Sequence, residues 1–149
     1  MKNSKKRIFT VSIIISVFCI GMYLKPMSLS DIANDSSTLL FSKVNAGWKD
    51  GRPYTESEVY NEITDEQKQK IIQLLNKYSY SRDLKTLFSD GSMLNNGGDG
   101  CFHIAIFNGL DYLEIVTVGY NDEISLNDKI YKMKNSDVFI EEILTIIDE

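Results

Sequence analysis

The chain carries one histidine, His103, and two cysteines, Cys19 and Cys101. Cys101 and His103 stand two apart, the spacing that puts both on one face of a strand. A thiol beside a base is the minimal arrangement for nucleophilic catalysis. The pattern indicates no third group to orient the imidazole, and catalytic pairs are normally assembled from separate elements. The pair therefore reads as a packed thiol beside a partly exposed imidazole, with a small thiol hydrolase using Cys101 and His103 as an alternative. One histidine and one cysteine outside the first apolar run do not make a tetrahedral zinc set without carboxylates. Asn95-Asn96-Gly97-Gly98-Asp99-Gly100 is rich in oxygen ligands but lacks the acid spacing and closing glutamate of a calcium loop. The same glycines have no lysine and no strand-to-helix setting for a phosphate loop. No catalytic residue, metal or cofactor is assigned. Trp48, Arg52 and Tyr54 fall in a turn-rich stretch where nothing requires core residues, and these residue types are enriched at binding hot spots. They are the candidate binding residues, for a protein or peptide partner.

The elements that would carry these residues follow an N-terminal leader. Lys2, Lys5, Lys6 and Arg7 precede Ile8 to Leu24, a run without charge, and the first acid is Asp31. The 17 residues would span about 25 Å as a helix, a little under the hydrocarbon thickness of a bilayer. Snorkelling by Arg7 and Lys25 is expected to cover the difference. The basic cluster places the N-terminus in the cytoplasm and the rest of the chain outside the cell. The run is long for a cleaved signal, so a single-pass membrane anchor is favoured over secretion after cleavage at Ser28-x-Ser30. Phe18 before Cys19, and the apolar residues after it, argue against a lipidated cysteine. Cys101 has no partner cysteine in the outward part for an intramolecular disulfide.

Of 16 basic residues, Lys2, Lys5, Lys6, Arg7 and Lys25 lie in or beside the leader, leaving 11 against 21 acids, a charge of about −10 on the outward part. Such a surface repels nucleic acid, which is excluded as a partner.

Three segments are expected: residues 1–25 as signal or anchor, 26–37 as a flexible tether, and 38–149 as an extracytoplasmic α+β domain. Thr38 to Val44 reads as a first strand, and Asn45 to Pro53 as turn, with a tight turn at Asp50-Gly51. Thr64-Asp65-Glu66-Gln67 is a capping box opening a helix with Ile71, Leu74 and Leu75 on one face. Cys101 to Phe107 and Tyr112 to Val118 form a hairpin about Asn108-Gly109, and Glu123 to Leu126 with Lys129 to Met133 a second about Asn127-Asp128. Asn135 or Ser136 caps a last helix. The expected fold is an antiparallel meander of four to five strands with two helices on one face.

The short strand, the capped helix ending in Lys77-Tyr78, the Lys129-Ile130-Tyr131-Lys132 strand and the closing Ser136-Asp137 helix resemble a family of small Gram-positive extracytoplasmic domains of unknown function. The resemblance covers about residues 38–148 and implies fold and location but no reaction. Together these features point to a non-catalytic module for a protein or peptide outside the cytoplasm. An inhibitor or self-protection protein against an extracellular toxin or enzyme is the neighbouring alternative.

Overall fold

The computed structural model describes residues 2–60, 62–89, 100–108, 113–127 and 129–149, without the side chains of residues 2–8 and 113. In chain order the elements are α1 (Lys2–Tyr23), β1 (Met27–Ser28), a 3-10 turn at Leu29–Asp31, β2 (Thr38–Lys49), β3 (Arg52–Tyr60), α2 (Asp65–Leu75), β4 (Ser79–Ser81), α3 (Leu84–Phe88), β5 (Cys101–Phe107), β6 (Leu113–Gly119), β7 (Glu123–Leu126), β8 (Lys129–Met133) and α4 (Ser136–Ile147). The strands form one antiparallel sheet in the order β1-β4-β8-β7-β6-β5-β2-β3.

The core follows from strand alternation. On β5, Phe102, Ile104 and Ile106 are buried while Cys101, His103 and Ala105 between them are not. Val116 and Val118, Ile124, and Leu39 with Phe41 continue the buried face across the neighbouring strands. Ile71, Leu74 and Leu75 of α2, and Phe139, Ile140 and Ile143 of α4, close over it. The capping box forms as the residues require: Gln67 N–H donates to Thr64 Oγ1 at 3.2 Å, and Thr64 N–H to Gln67 Oε1 at 2.9 Å. The amide of Gln67 also donates to the Ile146 and Ile147 carbonyls at 3.1 and 3.0 Å. One side chain thus caps the start of α2 and takes up orphan carbonyls at the end of α4. Asn135 at the start of α4 has a left-handed backbone and no side-chain cap bond. Asp122 supplies one from a distance, accepting from Ser136 N–H at 3.4 Å while its own N–H donates to Ser136 Oγ at 3.0 Å.

The sheet is larger than the four to five strands expected. Asp50 and Gly51 do form the tight turn, with φ of 53° and 74°, the pair of positive values a type I′ hairpin needs. The turn-rich stretch around it, however, is strand on both sides. Trp48 pairs with Pro53 and Gly47 with Tyr54, so β2 and β3 continue through Gly47 and Pro53, residues of low strand propensity. Register, propagated from the well-packed Phe41 end, outweighs local preference there. The β7–β8 hairpin stands as expected, with Asp128 outside the described residues. The Asn108-Gly109 turn falls largely outside them too, but Phe107 pairs with Leu113, so residues 108–112 all lie between the paired ends. The glycine-rich stretch 90–99, where the calcium-like residues begin, is also outside the described residues.

The tether expected at residues 26–37 is part of the domain. Met27 and Ser28 pair with Tyr80 and Ser79, Leu29 is fully buried, and Ile32, Ala33 and Ser37 are buried. Their small polar neighbours cap turns instead of floating: Ser28 Oγ accepts from Ser30 N–H, and Asn34 Oδ1 from Ser36 N–H.

The single-pass anchor is also corrected. A helix, α1, occupies Lys2–Tyr23, but among the described residues no helix is long and apolar enough to cross a membrane. The uncharged run is shorter than the roughly 20 apolar residues a span requires, and the snorkelling invoked to extend it does not supply the missing apolar length. Ile8–Leu24 is therefore not assigned to a membrane. Its C-terminal end is held by Arg82, which stacks 5.3 Å from the Tyr23 ring centroid and donates to the Tyr23 carbonyl at 3.5 Å.

Because Leu29 is core and not linker, Leu29→Ala should destabilise the full chain by about 2–5 kcal/mol in urea unfolding. A change within about 0.5 kcal/mol, the usual effect of a surface position, would return residues 26–37 to a tether.

Candidate functional site

Two places bring chemistry-bearing residues together. The first is the face of β5 turned away from the helices. Gly100, with φ of 81°, feeds the chain into this strand, where a Cβ would sit 2.2 Å from the Val44 carbonyl oxygen. Only glycine fits this close passage of β2. Cys101 and His103 then share the outer face, with Cys101 Sγ 3.4 Å from His103 Nε2. His103 Nδ1 lies 2.8 Å from Thr117 Oγ1, its cross-strand neighbour on β6. The structure therefore provides the third group that the sequence did not indicate. Thr117 lies 14 residues further along the chain, and the β5–β6 register sets it opposite His103.

Burial pushes the Cys101 thiol up from its ordinary value and the His103 imidazole down. Both effects favour the neutral pair near pH 7, whereas an active thiol nucleophile is a thiolate beside a positive group. A neutral His103 that accepts at Nε2 carries its proton on Nδ1 and donates it to Thr117 Oγ1. In that arrangement the line Cys101–His103–Thr117 is a satisfied polar network on a sheet face. Among the described residues no group of three or more histidine, cysteine, aspartate or glutamate side chains is placed to hold a metal ion.

The second place is the β2–β3 ribbon. β5 pairs with β2 only from Thr38 to Val44, so Asn45–Lys49 and Arg52–Glu56 run on beyond it as two strands. The three predicted binding residues all lie here, but not on one surface. Trp48 and Pro53 share one face, and Trp48 is 73% exposed. Tyr54 and Arg52 share the other. The Tyr54 ring lies over Gly47, where a Cβ would come within 2.7 Å of Tyr54 Cε1, and Tyr54 is 37% exposed. At the root of the ribbon, burial and then Glu58 push the Tyr60 phenol up to about 12.

The free side of β3 went unread in the sequence. β3 ends the sheet, and Arg52 to Val59 are all exposed. The two-residue turn makes Lys49–Arg52 a hydrogen-bonded pair, and antiparallel pairs alternate. The backbone groups of Arg52, Tyr54, Glu56 and Glu58 therefore face β2. Those of Pro53, Thr55, Ser57 and Val59 face outward, with no N–H at Pro53. Asp50-Gly51 was the available signal, since that dipeptide between pairable runs marks a hairpin. No family model, curated protein or solved structure matches the chain.

Two measurements check the electrostatics of the first place. In a Cys19→Ser background, Cys101 should alkylate more slowly than a free peptide thiol near pH 7, and its rate should rise at a higher pH than the free thiol's does. Labelling faster than the free thiol would mark an activated nucleophile. For His103 the folded state disfavours the proton, so its contribution to stability is present above about pH 6.5 and is lost as pH falls below it. The full chain should lose more stability between pH 8 and 5 than His103→Gln does, read from denaturant midpoints in parallel series.

Proposed function

We propose that the chain is a non-catalytic protein-binding module, exported from the cytoplasm, that takes an extended segment of its partner along the outer edge of β3. The observation that carries this reading is the edge itself: a nine-residue terminal strand, exposed from Arg52 to Val59 and running with β2 past the end of the β2–β5 ladder. Strand addition draws affinity from main-chain hydrogen bonds and specificity from alternate side chains. Thr55, Ser57 and Val59 offer the backbone groups. Trp48 on one face and Arg52 with Tyr54 on the other would flank an added strand, so residues split between two faces still serve one ligand. An inhibitor that captures a toxin or enzyme by an extended loop is a special case of the same chemistry.

Export is supported by the basic cluster ahead of the uncharged run. Secretion after loss of the leader fits the fold only if the cut falls before Met27. Cleavage after Ser30 would remove β1 and the buried Leu29.

The thiol hydrolase is the second reading, favoured by Thr117 completing a line behind His103. Against it stand the directions in which burial moves the thiol and imidazole, since neither gains a charge near neutral pH.

A tagged full-length chain used as bait in the producing cells separates the two. Thr55→Pro removes an outward N–H without touching the β2 ladder, and proline is tolerated on such an edge. It should cut the recovery of bound protein at least tenfold, while Cys101→Ala and His103→Ala leave recovery unchanged. Loss with the latter pair and retention with Thr55→Pro would overturn the binding reading.

A further inference from the structure

We infer that the strand added to β3 is β3 of a second copy of this chain, paired antiparallel about a two-fold axis through Thr55. This rests on the strand-addition reading and names its partner. Only Pro53, Thr55, Ser57 and Val59 present backbone groups outward, so a symmetric pair must match these residues with one another. The acids on β3 then select among the possible registers. Centring on Glu56 sets that carboxylate opposite its own copy, and centring on Ser57 sets Glu56 opposite Glu58 twice. Like charges directly opposite are destabilising. Centring on Tyr54 leaves Pro53, which has no N–H, in every hydrogen-bonded pair within the strand.

Centring on Thr55 avoids all of these. Thr55 meets Thr55 and exchanges two main-chain hydrogen bonds. Ser57 N–H donates to the Pro53 carbonyl on either side, making about four bonds in all. The facing side chains are then Arg52 with Glu58, twice, and Tyr54 with Glu56. Threonine pairs and opposite charges are favourable cross-strand neighbours. Every residue from Arg52 to Glu58 is exposed in the single chain, so none has to leave a packed position. Thr55 pairs with Ala46, beyond the Val44 end of the β2–β5 ladder, so the axis passes through the projecting ribbon.

Charge reversal tests the register. The full-length chain should sediment as a dimer whose mass falls with dilution. Arg52→Glu alone and Glu58→Arg alone should each weaken the dimer about tenfold or more, because each turns two attractions into repulsions. An equimolar mixture of the two variants should restore it, since every reversed side chain then faces its opposite. Thr55→Pro should abolish it. A wild-type chain that stays monomeric at every concentration overturns the inference, as does a dimer indifferent to all of these substitutions or a mixture that fails to re-associate. If the wild type is monomeric yet still recovers a protein that Thr55→Pro loses, strand addition stands and only the second copy falls. If Thr55→Pro changes neither, both fall.

Discussion

The buried face of β5 is the constraint on which the rest of the structure depends. Phe102, Ile104 and Ile106 sit in the middle of the sheet and meet α2 and α4 through one continuous core. A one-residue slip of β5 would turn those side chains outward and bring Cys101, His103 and Ala105 into the core. That penalty fixes the register with β2 on one side and β6 on the other. It therefore also sets which residues can become a site. His103 meets Thr117 because Ile104 meets Val116 one position on. At the far side, Leu39 and Phe41 are the last fully apolar positions of β2 on the core face. Beyond them the face carries the half-buried polar Lys43 and Asn45, and β3 can hold charge on an exposed strand.

What could be read in the sequence was what short-range chemistry specifies. The capping box at Thr64, the apolar stripe of α2, the Asp50-Gly51 turn and the β7–β8 hairpin each need only neighbouring residues. Met27–Ser28 and Ser79–Ser81 were missed because strands of two and three residues leave no alternation to detect, and they pair with one another and with β8. Residues 26–37 looked like a tether because serine, asparagine and aspartate are as common in capped turns as in linkers. Leu29, Ile32 and Ala33 stand at i, i+3 and i+4, but three residues make too short a run to establish a period. Trp48, Arg52 and Tyr54 read as turn-rich loop but lie on strands, and their division between two faces depends on strand parity, which a loop reading does not contain. Thr117 had no local signal at all.

The two candidate places differ in what they ask of the solvent. The Cys101–His103–Thr117 line is internally satisfied, and its burial disfavours charge on both titrating groups. A group whose hydrogen bonds are already made has little to gain from a ligand. The outward backbone of β3 is the opposite case. Among the described residues no strand pairs with the outward N–H and C=O groups of Thr55, Ser57 and Val59, and they lie on an exposed strand, open to a directional partner. This difference, more than residue type, makes the ribbon the better interface, even though cysteine and histidine are the more reactive side chains.

An exposed edge is also a hazard, since unpaired strands recruit other strands. The sheet's two ends answer it differently. The β1 end is only two residues long, too short to template a further ladder, and β3 carries Pro53 with Glu56 and Glu58 along its length. Head-to-tail growth would need β3 of one copy to find a matching strand at β1 of the next, and the short β1 offers none. Pairing β3 with β3 consumes the one long edge in each copy and leaves two short ends, so the association closes at two and cannot propagate. The charges that would resist indiscriminate pairing are the same ones that make the Thr55-centred register favourable. Protection against aggregation and choice of partner can thus come from the same three charged residues, Arg52, Glu56 and Glu58.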